Sequence, residues 1–109
     1  MANKMLNTTY DFELESGEVV KLTLSFYALY QLRSKNKALH DRYNKIMTNN
    51  AKNGTVDELD TITILYVAYV CANMANEELM NEEEFMIQCG SDRVAVNKAI
   101  EHLIMPKKA

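Results

Sequence analysis

The stretch "YDFELESGEVVKLTLSF", residues 10–26, alternates apolar and polar residues on both sides of a Ser-Gly pair. Period-two alternation on either side of a turn signal reads as an antiparallel hairpin with one dry and one wet face. Tyr10, Phe12 and Leu14 occupy even positions, as do Val20, Leu22, Leu24 and Phe26. A two-residue turn at Ser16-Gly17 would put those two sets on opposite faces. Opposed residues must therefore have an even index sum. The sum that best matches the side chains sets Leu14 against Val20, Phe12 against Leu22 and Tyr10 against Leu24. Glu13 then opposes Lys21, and Asp11 opposes Thr23. The loop is three or five residues long, or a two-residue turn followed by a bulge near Val19. In every case the greasy face needs a cover, and the hairpin is expected to lie on helices.

Helical signals fill the rest of the chain. Ser25 is placed to cap a segment in which Phe26, Leu29, Leu32, Leu39, Tyr43 and Ile46 recur at helical spacing. The stripe is interrupted between Arg33 and Lys37, so the segment is one bent helix or two. Asn49, Asn50, Asn53 and Gly54 mark a loop. Thr55 and Glu58 form a capping-box pattern ahead of "LDTITILYVAYVCANMA", residues 59–75. From Ile62 to Ala72 only Thr63 is clearly polar, and a helix apolar all round needs cover on every side. Either the fold wraps it centrally, or its leftover surface meets another chain. Asn81 and Glu84 repeat the capping logic for a short helix carrying Phe85, Met86 and Cys89, stopped by Gly90. Ser91 or Asp92 then opens a last helix with Val96, Ile100, Leu103 and Ile104 before Pro106. The expected fold class is α+β, an N-terminal β-hairpin packed on a bundle of about four α-helices. It forms one domain over 1–109: hairpin at about 8–25, helices at about 26–105, and a short basic tail at 106–109.

Composition narrows the function classes. At 109 residues, 48% hydrophobic and 25% charged, the chain suits a single globular domain. The first residues lack the basic-then-apolar pattern of a signal peptide, and the 62–72 run is too short to span a bilayer. The expected location is the cytoplasm, with no membrane partner. Cys71 and Cys89 have no CxxC spacing and read as buried free thiols. The acids Glu82, Glu83 and Glu84, with Glu77 and Glu78 nearby, suit a helix dipole better than catalysis. No phosphate loop, nucleophile elbow or HExxH pattern occurs. The residues therefore propose no catalytic, cofactor or metal site, and no enzyme.

Charge is unevenly spread. Arg33, Lys35, Lys37, Arg42, Lys45 and Lys52 share their stretch with one acid, Asp41, whereas the nine Asp and Glu between Asn53 and Asp92 have no Lys or Arg among them. Such blocks suggest contacts between them, within the molecule or between copies, with Arg33, Lys37 and Arg42 as candidates for self-association. The same cations, interleaved with Tyr30 and Tyr43, could make a nucleic-acid face, but the net charge of −3 and the lack of a known binding module oppose it. Seven methionines, with Met74, Met80, Met86 and Met105 in the C-terminal half, suit either core filling or an adaptable apolar surface.

The pieces "FELESGEVVKLTLSF", "YALYQL", "TITILYVAYVCA" and "NEEEFMIQCGSDRVAVNKAIEHLI" together resemble the tail assembly chaperones of long-tailed phages and prophages of Gram-positive bacteria. The resemblance covers about residues 5–105 and rests on hydrophobic patterns. It implies a small non-enzymatic α+β protein that coats the tape measure protein, keeps it soluble and helps recruit the major tail protein as the tail tube polymerises. It also implies absence from the mature virion. In that family a frameshifted longer form is frequent, and the two lysines of "MPKKA" are compatible with one. On this reading an apolar groove drawn from Ile62, Leu65, Tyr66, Tyr69, Val70, Met74, Phe85 and Met86 would hold the apolar stripe of the partner's helix. The hairpin edge could align successive copies. The competing classes are a structural tail or head–tail connector protein and a small phage regulatory or nucleic-acid-binding protein.

Overall fold

A computed structural model describes residues 9–54, 57–76 and 78–104. These form two strands and five helices: β1 (Tyr10–Glu13), β2 (Val19–Leu22), α1 (Phe26–Lys35), α2 (Lys37–Asn53), α3 (Glu58–Ala72), α4 (Glu82–Cys89) and α5 (Arg93–Ile104). The class is α+β, with the antiparallel hairpin packed against helices.

The hairpin keeps the expected parity but pairs two residues away from the expected register. Tyr10 faces Leu22, Asp11 faces Lys21, Phe12 faces Val20 and Glu13 faces Val19. The turn explains the shift. Gly17 N–H donates to the Leu14 carbonyl (2.9 Å), and Leu14 N–H donates to the Glu18 carbonyl (2.8 Å). The loop is thus Glu15, Ser16 and Gly17, with Gly17 in its third position at φ +95°. A three-residue loop needs a left-handed residue there, and glycine adopts it without a Cβ clash. The expected register would have put Gly17 second. The observed one also brings Lys21 Nζ within 2.7 Å of Asp11 Oδ1. Phe12, Leu14 and Leu22 are buried, while Asp11, Glu13 and Lys21 stay wet.

Each helix starts where its cap chemistry places it. The Ser25 hydroxyl accepts from Ala28 N–H at the head of α1. Asn36 then serves two helices: its N–H donates to the Leu32 carbonyl, closing α1, and its side chain accepts from Leu39 N–H, opening α2. The interrupted stripe is therefore two helices, which raises the count among the described residues to five. Asp57, whose side chain accepts from Leu59 N–H, is the cap of α3. The Thr55 half of the expected capping box lies outside the described residues, and Glu58 instead pairs with Arg93. At α4 the capping box is complete: Asn81 Oδ1 accepts from Glu84 N–H and Glu84 Oε1 from Asn81 N–H. Gly90 ends that helix at φ +65°. Asp92 Oδ1 accepts from Ala95 N–H in the first turn of α5. Pro106 and the basic tail lie outside the described residues.

Helix α3 is the centre of the molecule, packed by β2, α1, α2, α4 and α5. Ile64, Leu65, Val67, Ala68, Tyr69, Val70 and Cys71 are buried, and Ile62, Tyr66 and Ala72 half-buried, so no residue of 62–72 is exposed. The fold itself supplies the cover that an all-round apolar helix demands. The expectation that part of this helix is left bare for another chain is not met. The small Ala68 lets β2 come close enough for Thr23 N–H to donate to the Ala68 carbonyl (3.1 Å). Asn73 Nδ2 donates to the carbonyls of Lys21 (3.1 Å) and Tyr69 (2.7 Å). The end of β2 and the residue after it are thereby bonded to α3 and its C-terminal cap.

Candidate interaction surfaces

The eight residues expected to line a partner groove divide into two sets. Leu65, Tyr69, Val70 and Phe85 are in the core, and packing accounts for each. Phe85 sits in an aromatic cluster with Tyr69 (ring centroids 5.1 Å apart), Tyr66 (5.7 Å) and Phe12 (6.5 Å). The tyrosine hydroxyls hold the α3–α4 connection: Tyr66 donates to the Met80 carbonyl (3.0 Å), and Tyr69 accepts from Met80 N–H (3.1 Å). Burial pushes the Tyr66 phenol above its ordinary pKa. These four core residues are therefore not a surface, because ring stacking and core packing already occupy them. Ile62, Tyr66, Met74 and Met86 are half-buried.

Ile62 and Met86 do come together. With Leu59, Val96 and Gly90 they line a cleft of about 310 Å³ between the first turns of α3, the end of α4 and the start of α5. Its floor is apolar. Its rim carries Glu58, Asp92 and Arg93, and Arg93 bridges to Glu58 through Nε and through Nη2 (3.2 Å to Oε1). That contact lowers the Glu58 carboxyl below its ordinary pKa and raises the Arg93 guanidinium. Leu59 lies 60% exposed at one lip, and Ile87 and Val94 project outward from the same helices, α4 and α5. Such a cleft has room for one or two apolar side chains. The sequence could not place it, because its walls come from three helices that meet only in the fold.

The basic and acidic blocks meet inside one molecule. Arg42 grips Glu82 with two bonds, Nη1 to Oε1 (2.7 Å) and Nη2 to Oε2 (3.0 Å), and the Thr63 hydroxyl donates to Glu82 Oε2 (3.0 Å). The Arg42 bond and then the Thr63 bond hold the Glu82 carboxyl below the ordinary range, against the opposing effect of burial. Arg42, a self-association candidate, is thus engaged within its own molecule. Lys37 pairs with Asp41 one turn along α2 (3.1 Å), whereas Arg33 lies over the Tyr30 ring (5.8 Å to the centroid). Of the three first-turn acids of α4, Glu82 is the grip on Arg42 and Glu84 closes the capping box, while Glu83 faces solvent.

Both thiols are buried and free, with burial pushing Cys71 up to about 12 and Cys89 up to about 11. At neutral pH they are protonated and poor nucleophiles. Among the described residues no group of three His, Cys, Asp or Glu is placed to hold a metal ion, and no helix is long and apolar enough to cross a membrane.

A second exposed apolar surface lies on α1, which the sequence stripe placed partly in the core. Leu32 and Ala28 are buried as expected. Phe26, by contrast, is 92% exposed, Tyr27 68% and Tyr30 58%. Compared with protein-family models, curated proteins and solved structures, the chain matches none of them.

Proposed function

We propose that this chain is a non-enzymatic tail assembly chaperone. It binds the tape measure protein in the host cytoplasm, keeps it soluble while the tail tube polymerises from major tail protein, and is left out of the finished virion. The family resemblance of residues 5–105 supports the identity of the partner. The observation that carries the binding step is the apolar cleft under Leu59, Ile62 and Met86. A tape measure helix exposes apolar side chains along one stripe before the tube encloses it. One such side chain could seat on Ile62 and Met86, with Leu59 packing against the next turn, in the helix-in-groove manner. This reading uses the first turns of α3, where Leu59 and Ile62 line the cleft, rather than the middle of that helix, which the fold has already covered.

Co-expression with a phage tape measure protein tests the reading. That protein should become soluble and co-purify with the wild-type chain. Leu59→Glu with Met86→Lys, both on the cleft and outside the tight core, should abolish co-purification while leaving the far-ultraviolet circular dichroism unchanged. A tape measure protein that stays insoluble with the wild-type chain would overturn the proposal.

A further inference from the structure

The α1 face goes beyond the chaperone reading and is independent of the cleft. Phe26, Tyr30 and Arg33 follow one another at i, i+4 and i+7, a single line along the helix, with Tyr27 beside them. The buried residues Ala28 and Leu32 occupy the other side, so folding does not need the aromatic line. Three aromatic side chains left in water on one helix, with an arginine at their end, have the make-up of an interface centre, where Tyr, Phe and Arg are enriched.

Charge indicates what covers it. Helix α1 contains no acid at all, and its last turn holds Arg33 and Lys35. Among the described residues no carboxylate pairs with Arg33, Lys35 or Lys45. Phe26 stands in the first turn of α1 and the cations in its last, so a partner lying along the helix that buries Phe26 and Tyr30 runs on to unneutralised Arg33 and Lys35. Anionic side chains next to an apolar stripe satisfy both.

The ring geometry separates a protein from a nucleic acid. A base-stacking platform needs open ring faces. Tyr27 and Tyr30 instead stack on one another (centroids 6.3 Å apart, planes 28° apart), and the Arg33 guanidinium covers Tyr30. Gln31 Nε2 donates to the Tyr27 hydroxyl (3.2 Å), fixing the pair further. Only Phe26 keeps open faces, and one ring is no platform for successive bases, whereas its surface and the tyrosine ring edges suit aliphatic side chains.

We infer that the Phe26–Tyr27–Tyr30–Arg33 face of α1 is a docking surface for an acidic amphipathic helix of another protein. The probe is a fluorescein-labelled designed helix with a Leu/Phe stripe flanked by glutamates, compared by anisotropy with a twin flanked by lysines and with labelled oligo-dT. The acidic helix should bind the full chain at least about tenfold more tightly than its twin. Phe26→Ser, Tyr30→Ser and Arg33→Glu, all at exposed positions, should each weaken it by about tenfold or more. Equal binding of the two helices, no binding of either, or binding unaffected by the three substitutions would overturn the inference. So would tighter binding of oligo-dT, which would make the face a nucleic-acid platform. A wild-type dimer in sedimentation that Phe26→Ser dissolves would also overturn it, because the occupant would then be a second copy. Neither helix is a tape measure protein, so this result and the co-expression result fail separately.

Discussion

At the scale of single residues, Glu82 has the most connected carboxylate among the described residues. Its carboxylate accepts two bonds from Arg42 and one from Thr63, and its side chain is only 26% exposed. Its pKa is lowered by folding, so it stabilises the native state only while ionised. That contribution is complete above the ordinary carboxylate range, about pH 4, and disappears as pH falls through the lowered value. Glu82→Gln should therefore cost about 1 kcal/mol at pH 7, a modest figure because Arg42 is half exposed. Denaturant titrations of wild type and variant should converge as the pH is taken well below 4; a gap that stays constant with pH would refute the linkage. The sequence announced two blocks of charge but not which acid would meet which base. Arg42 and Glu82 are 40 residues apart, and only the packing of α2 and α4 around α3 joins them.

Among the elements, the hairpin was the most legible. Alternation alone settled which residues are dry, because side-chain parity survives any even shift of register. What the alternation could not settle was the shift itself, which depends on where Gly17 falls in the loop. At φ +95° that position rewards glycine and strains every other residue. Nothing surrounds the position where a Cβ would sit, so Gly17→Ala tests backbone conformation without a packing term. A loss of about 1 kcal/mol is expected in equilibrium unfolding. A neutral or stabilising effect would mean that the turn is built differently. The caps at Ser25 and Asn81 could also be read in advance, and the last one narrowed to Ser91 or Asp92, since each acts within three residues of itself. Helical spacing was less informative on α1. It grouped Phe26 with Leu29 and Leu32, yet Phe26 stands in solvent at the first turn, beyond the reach of the neighbouring helices.

For the molecule as a whole, the governing fact is that α3 has a neighbour on every side. A helix without a polar face carries no information about which side is covered and which is bare, so its surroundings were illegible until its five neighbours were in place. At the fully buried Ala68 the backbone just after β2 reaches the helix through the Thr23 N–H. Ala68→Leu should separate strand from helix and cost about 2 kcal/mol, read as a lowered denaturant midpoint. An unchanged midpoint would show slack where close packing is observed. The hairpin turn is also fastened at a distant point: Glu15 N–H donates to the Gln88 carbonyl (2.8 Å) and Ser16 N–H to its side-chain Oε1 (3.1 Å), 72 residues further on. A lone two-stranded hairpin is marginal in water. In the order of synthesis β1 and β2 precede Gln88, so this fastening of the turn waits until α4 has been made. A hairpin without its helices would leave Phe12, Leu14 and Leu22 in the open, where proteases and other unfinished chains can reach them.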